Sequence, residues 1–221
     1  GGTFINYQVQ QLAGSTWTQA TGVYTLSSST YTQIVSGLTN GTAYSFRIAY
    51  VSNVGVGTYA NVYATPITVS SAVQATQALV SDSTVTLYWS APASTGGQTV
   101  TGYTVEQSLN NSTYTTVATN IALPGIAGYA VSGLTNGTAY YFRITPVSVA
   151  GNGAASVIQA TPAAVPPTPA SVATSVASQT ITATWTAPAS TGGLTVSSYN
   201  IQYSADNGTT WLPSTPINVT S

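Results

Sequence analysis

Short runs of alternating apolar and polar residues recur along the chain, and they predict β-strands. Clear examples are STVTLYW, QTITATW and AYYFRITPVSV. In the last run Tyr140, Phe142 and Ile144 fall on one face, and β-branched residues are frequent in all three. Clusters of Gly, Pro, Asn and Ser separate the runs about every 8–12 residues, and no segment keeps a helical period. We therefore predict an all-β chain.

The pattern repeats with a period of about 96 residues. The decapeptide VSGLTNGTAY occurs at 35–44 and again at 131–140, and PASTGG occurs at 92–97 and 188–193. Repetition of this kind indicates that one supersecondary unit is used several times. We delimit three units, called the first (1–66), the middle (67–164) and the third (165–221). They are joined by short linkers near TPITVSSA and TPAAVPPTPA, and the Pro-rich second linker is expected to be semi-rigid.

The order of motifs in the middle unit resembles the fibronectin type III domain. Trp89 and the following Ala-Pro precede GYTVEQS, then GLTNGTAYYFRITPVSVAGNG, then a closing ATP. The resemblance covers essentially the whole chain, looks like the bacterial or viral extracellular type, and implies tandem seven-stranded immunoglobulin-like (fibronectin type III) β-sandwiches. It makes the middle unit a complete repeat, the first a partial repeat with strands C to G, and the third a partial repeat with strands A to C′. Whether the same chain or a neighbour completes the partial repeats stays open.

The resemblance implies structural roles for eight residues. Leu38 and Leu134 are expected to point into the core at the end of strand E. Tyr44 and Tyr140 resemble the tyrosine corner of such sandwiches, in which the hydroxyl bonds to nearby backbone. The other four are aromatic residues of strands B and C: Trp89, Tyr103, Trp185 and Tyr199. The repeated decapeptide is therefore interpreted as repeated architecture rather than as a duplicated binding loop or glycosylation site.

Charge is scarce, and this excludes several classes of partner. Only 2% of the residues are charged and the net charge is −1, whereas about a quarter of a typical domain is charged. Nucleic acid and anionic lipid both select clustered Lys and Arg, so we expect no nucleic-acid partner. The sequence has no run of 18 apolar residues, so we expect no membrane insertion in this window.

The residue types that usually carry chemistry are also missing. The chain contains no Cys and no His, and both of its basic residues are Arg. No carboxylate pair suits glycoside hydrolysis. We predict no catalytic residue, no cofactor-binding residue and no metal site. Glu106 and Arg143 fall on strands that the resemblance makes neighbours, so they are expected to form a cross-strand surface pair.

Three aromatic residues at matching places are candidates for carbohydrate contact: Trp17, Tyr114 and Trp211. Regularly spaced exposed rings could stack on sugars. The alternative, which we favour, is that each ring covers the edge of its sheet at the start of strand C′.

These observations predict a non-catalytic structural or spacer array in an extracellular surface fibre, filament or adhesin stalk. Its expected partners are neighbouring repeats of the same chain and other copies of itself, with a glycan as the alternative. Two other functions stay open. The array could belong to a virion, as a phage tail, fibre or capsid appendage at the virion surface. It could also be the accessory or carbohydrate-binding region of a secreted polysaccharide-degrading enzyme.

Overall fold

The structure is a computed structural model that describes residues 2–20, 23–27, 30–122 and 128–220. Every regular element in these ranges is a β-strand, which confirms the predicted fold class. The strands in chain order are β1 (Phe4–Ala13), β2 (Thr16–Gln19), β3 (Val23–Ser27), β4 (Thr30–Ile34), β5 (Tyr44–Ser52), β6 (Gly55–Val56), β7 (Ala60–Ala64), β8 (Gln74–Ser81), β9 (Thr84–Ser90), β10 (Val100–Ser108), β11 (Thr115–Ile121), β12 (Tyr129–Ser132), β13 (Tyr140–Ser148), β14 (Gly151–Asn152), β15 (Ser156–Ala160), β16 (Ala170–Ala177), β17 (Thr180–Thr186), β18 (Ser198–Tyr203) and β19 (Leu212–Thr220).

The middle unit is a sandwich of two antiparallel sheets. One sheet has the order β12-β9-β8, and the other has the order β11-β10-β13-β14, with β15 also paired to β13. The chain crosses from one sheet to the other after β9, after β11 and after β12, as in a Greek key.

The core of the middle unit comes from the inward positions of its central strands. On β9 the exposed fraction alternates along the strand, and Val85 and Leu87 are fully buried. Tyr103 and Val105 of β10 and Phe142 and Ile144 of β13 face them and are also fully buried. Trp89 packs edge-on against Tyr103, with ring centroids 5.5 Å apart. Burial of side chains this large is the main stabilising term of a small sandwich.

The first unit repeats one sheet of this sandwich, in the order β2-β1-β5-β6 with β7 paired to β5. Its β4 pairs with β3, whereas β12 of the middle unit pairs with β9. No counterpart of the β8–β9 hairpin covers the sheet among the described residues. An apolar groove of about 950 Å³ follows that face, and Phe4, Tyr7 and Tyr31 pack against one another there.

The third unit contains two hairpins, β16–β17 and β18–β19. Trp185 packs on Tyr199 at 5.5 Å and 64°, close to the 5.5 Å and 66° of Trp89 and Tyr103. The repeated aromatic pair thus keeps its geometry although most of β16 and β17 is exposed.

Candidate functional site

Each copy of the repeated decapeptide forms a corner between two strands, β4 and β5 in the first unit and β12 and β13 in the middle unit. Hydrogen bonds from backbone amides to a tyrosine side chain stabilise both corners. The amide of Thr135 donates to the hydroxyl of Tyr140 at 3.1 Å, and the amide of Thr39 donates to Tyr44 at 2.9 Å. Leu134 is buried in the middle unit, while Leu38 is half-buried. The tyrosines therefore tie the end of one strand to the start of the next within the same unit.

Asn136 connects this corner to the turn between β8 and β9. Its Oδ1 accepts from the amide of Ser83 at 2.8 Å, and its Nδ2 donates to Asp82 Oδ1 at 2.8 Å. The amide of Leu134 also donates to the carbonyl of Ser83, at 3.0 Å. At the Asn-Gly step of the corner, the glycine (Gly41 or Gly137) has a positive φ, and the asparagine before it does not. The role of this asparagine is tertiary, which sequence reasoning missed because Asp82 lies 54 residues away.

The same corner contacts the next unit, and the contacts occur at both boundaries. The amide of Gly41 donates to the carbonyl of Pro66 in the linker, and that of Gly137 donates to Pro162, both at 2.9 Å. Two residues after each proline, the linker amide donates to the Gly-Gly turn of the following unit. These bonds are Thr68 to Gly96 at 2.9 Å and Ala164 to Gly192 at 2.8 Å.

We call each such set of contacts a joint: the corner glycine, the linker and the Gly-Gly turn. Joint 1 contains Gly41, Pro66, Thr68, Gly96 and Gly97, and joint 2 contains Gly137, Pro162, Ala164, Gly192 and Gly193. The sequence shows VSGLTNGTAY and PASTGG repeating with the same period, but it did not predict that the two motifs contact each other. The signal was that each repeated motif contains glycine without being a strand.

The outer face of the middle unit holds an ion pair. Glu106 of β10 lies opposite Arg143 of β13. Arg143 Nε and Nη2 donate to the two carboxylate oxygens at 2.7 and 2.8 Å. Hydrogen bonding from Arg143 lowers the pKa of Glu106 from its usual value. This bidentate contact binds Arg143 to its own sheet.

The equivalent arginine of the first unit has a neutral partner. Arg47 Nε donates to Gln10 Oε1 at 2.6 Å. Its guanidinium also lies over the rings of Trp17 and Tyr59, 4.5 and 4.1 Å from their centroids. Tyr59 was not predicted, since the middle unit has Ala155 at that position.

The three candidate carbohydrate-contact residues have different surroundings. One face of Trp17 contacts Arg47, and one face of Tyr114 contacts Arg143 at 4.1 Å. Trp211 is 54% exposed. Each of the three rings belongs to a different unit.

The remaining acidic group, Asp206, organises a turn. The side chain and amide of Thr210 and the hydroxyl of Ser204 donate to it, and they lower its pKa to about 2. Asn110 accepts similar bonds in the middle unit, from Ser112 and Thr113. The Asp206 carboxylate therefore stabilises its own turn.

The part of the chain that the structure describes contains neither a candidate metal site nor a candidate membrane-spanning helix. No group of three or more His, Cys, Asp or Glu side chains there could hold a metal ion. Among those same residues, no helix is long and apolar enough to cross a bilayer.

The architecture defines the middle unit as an immunoglobulin-like β-sandwich. Residues 71–161 match the family model of the fibronectin type III domain. The matched segment spans most of the middle unit, and its fold is like that of fibronectin type III domains.

Solved structures of similar fold include a crystal structure of titin domains, at 20% identity and a TM-score of 0.48; the match covers 70% of this chain and 54% of that one. The twitchin kinase region from C. elegans matches at 23% identity and a TM-score of 0.37, over 43% of this chain and 16% of that chain. The sixth fibronectin type III domain from human fibronectin type III domain containing protein 3 matches at 25% identity and a TM-score of 0.38, over 45% and 92%. The chain thus spans about half the length of the titin fragment.

Proposed function

We propose that the chain is a non-catalytic structural and spacer array of an extracellular fibre, filament or adhesin stalk. The observation that carries the proposal is the recurrence of one joint at both boundaries between units, with the same donors and acceptors. Repetition of a joint makes the length of an array depend on the number of units, which is what a spacer requires.

The surface chemistry supports the proposal. Of the five charged side chains, Arg143, Glu106 and Arg47 are bonded within their own sheets. Asp82 and Asp206 are bonded at turns. These groups stabilise the units, and each has its partners within the same unit.

Electron microscopy of the native assembly tests the proposal. We expect units aligned in a row along a fibre, with a spacing that does not vary between neighbours. The structure to which the row of units is attached would distinguish the two alternatives: a cell surface for a surface fibre, and a virus particle for a virion appendage. A compact particle in which the units pack around a catalytic domain would contradict the spacer function and favour the accessory region of an enzyme.

A second candidate function is carbohydrate contact at Trp211. The observation in its favour is exposure: Trp211 is 54% exposed, while Trp17 and Tyr114 each have one face against a guanidinium. Glycan-array binding that Trp211→Ala abolishes and Trp17→Ala preserves would support it. Absence of binding, or binding that survives Trp211→Ala, would rule it out.

A further inference from the structure

The repeated decapeptide contains two glycines with similar backbone conformations and different surroundings. In the middle unit, Gly133 has φ +75° and Gly137 has φ +78°. A Cβ at Gly133 would meet nothing within 4 Å, whereas a Cβ at Gly137 would lie 2.9 Å from the Cα of Gly193 in the third unit. The local backbone conformation alone favours glycine at position 133. At position 137, the close contact with the neighbouring unit requires glycine as well.

The first unit has the same pair of environments. Gly37 has φ +76° and nothing within 4 Å of an added Cβ, whereas a Cβ at Gly41 would lie 2.8 Å from the Cα of Gly97. The approach is mutual, since a Cβ at Gly193 would lie 2.7 Å from the Cα of Gly137. Contacts below 3 Å between carbon atoms are repulsive, so glycine on both sides allows the two backbones to touch.

The linker is hydrogen-bonded to both of these backbones. Gly137 donates to the carbonyl of Pro162, and Ala164 donates to the carbonyl of Gly192. Pro162 and Gly192 are buried. All these donors and acceptors are backbone groups, so the joint does not depend on the linker side chains. This accounts for the same geometry in linkers that read TPIT and TPAA.

We propose that the corner of VSGLTNGTAY is an interaction surface whose partner is the PASTGG turn of the following repeat, and that this contact fixes the orientation between units. The inference rests on the spacer function proposed above and adds a mechanical property to it. The array is a stiff rod whose joints are backbone contacts, rather than units on a flexible tether. The decapeptide supplies one side of each joint, and the PASTGG turn supplies the other.

Spin-label distance measurements on the full chain test this. The chain has no native Cys, so Ser112→Cys in the middle unit and Ser178→Cys in the third can be labelled selectively. Pulsed electron paramagnetic resonance then gives the distribution of distances between the units. For the otherwise unchanged chain we expect one narrow peak. We expect Gly137→Ala to replace that peak by a broad distribution, because the added Cβ forces the Gly193 backbone away.

Gly133→Ala is the matched control. It adds the same methyl group at nearly the same φ, in the same corner, with open space around it. It should lower stability through backbone strain and leave the narrow peak intact. Near-ultraviolet circular dichroism checks that both variants keep a folded core. Ala164→Pro is the second joint variant, because it removes the amide that donates to Gly192 without adding a Cβ at the contact. It should also broaden the peak.

Three results would overturn the proposal: a broad distribution in the parent, an unchanged peak in both joint variants, or equal broadening by Gly133→Ala and Gly137→Ala. Should Gly137→Ala fail to fold, Ala164→Pro alone decides between broadening and no change. Failure here is distinct from failure of the spacer function. A broad parent distribution leaves a flexible array in place, and a narrow peak in an assembly without rows of units would refute only the spacer function.

Discussion

Tyr140 has a half-buried ring, and its hydroxyl accepts a hydrogen bond from the amide of Thr135. The ring stacks against Phe142 at 6.2 Å. The Tyr140 side chain therefore makes two contributions, a hydrogen bond to the corner and a ring contact with the core. Removing the hydroxyl alone separates the first from the second.

Tyr140→Phe is expected to destabilise the middle unit by about 1 kcal/mol, the net value of one hydrogen bond. Amide exchange at Thr135 should become faster, because its acceptor is lost. Denaturant unfolding and hydrogen exchange measure the two effects. Tyr141→Phe is the control, since Tyr141 pairs with β10 and β15 through its backbone and its hydroxyl bonds to no described residue. Unchanged exchange at Thr135 would contradict the role of the hydroxyl.

Glu106 and Arg143 predict a pH dependence. The folded state lowers the pKa of Glu106, so the pair stabilises the fold above the unfolded-state pKa, about 4.3. This contribution is lost as the pH falls through the folded-state pKa. Glu106→Gln should therefore cost about 1 kcal/mol at pH 7, and the difference from the parent should vanish in acid.

The first unit supplies the reciprocal variant for this test. Gln10 holds the position of Glu106 against Arg47, so Gln10→Glu should introduce the pH dependence that Glu106→Gln removes. Urea unfolding at several pH values measures both. A Glu106→Gln penalty that stays constant down to pH 2 would show that charge is not what the pair contributes.

At the scale of elements, β9 carries the core of the middle unit. Its inward residues lie between β8 and β12 and pack across the sandwich on β10 and β13. In the third unit the equivalent of Leu87 is Ala183, on a strand that is mostly exposed. The same alternating pattern thus gives different burial according to how many strands pack against it.

Leu87→Ala is expected to destabilise the middle unit by about 2–5 kcal/mol, because it leaves a cavity among fully buried side chains. Leu79→Ala on the neighbouring β8 is the matched control. Leu79 is 60% exposed, so its loss should cost about 0.5 kcal/mol or less. Equal penalties for the two leucines in thermal or denaturant unfolding would contradict the assigned core.

At the scale of the whole molecule, both trypsin sites lie inside central strands. Arg47 is on β5 between β1 and β7, and Arg143 is on β13 between β10 and β15. A protease needs an extended, accessible segment, which these strands give only on opening.

We therefore expect native chain to resist trypsin, and unfolded chain to yield fragments 1–47, 48–143 and 144–221. The rate of cleavage should follow the opening of each unit as denaturant is added. Ser112→Arg is the control, because Ser112 lies in an exposed turn; it should be cut in the native state. Rapid cleavage of the native parent after Arg143 would contradict the strand assignment.

Sequence by itself determined the fold class and the period of the repeat. Alternation with a period of two needs only local geometry, because successive side chains of a strand point to opposite faces. The turns could also be placed locally, since Gly, Asn and Pro interrupt strands for reasons within a few residues. For the same reason the pattern of β13 separates Arg143 from the inward Phe142 and Ile144.

The tertiary structure alone decided which residues meet across long separations. Joint 2 places Gly137 against Gly193. Within single units, the fold places Asn136 against Asp82 and Tyr59 on Arg47. The pairing of β4 with β3 is likewise a matter of which strands are available beside it. None of these contacts has a local signature, because each depends on where the folded chain brings two distant segments. The repeated decapeptide thus shows in sequence only that it recurs, and in three dimensions that it touches the repeat that follows.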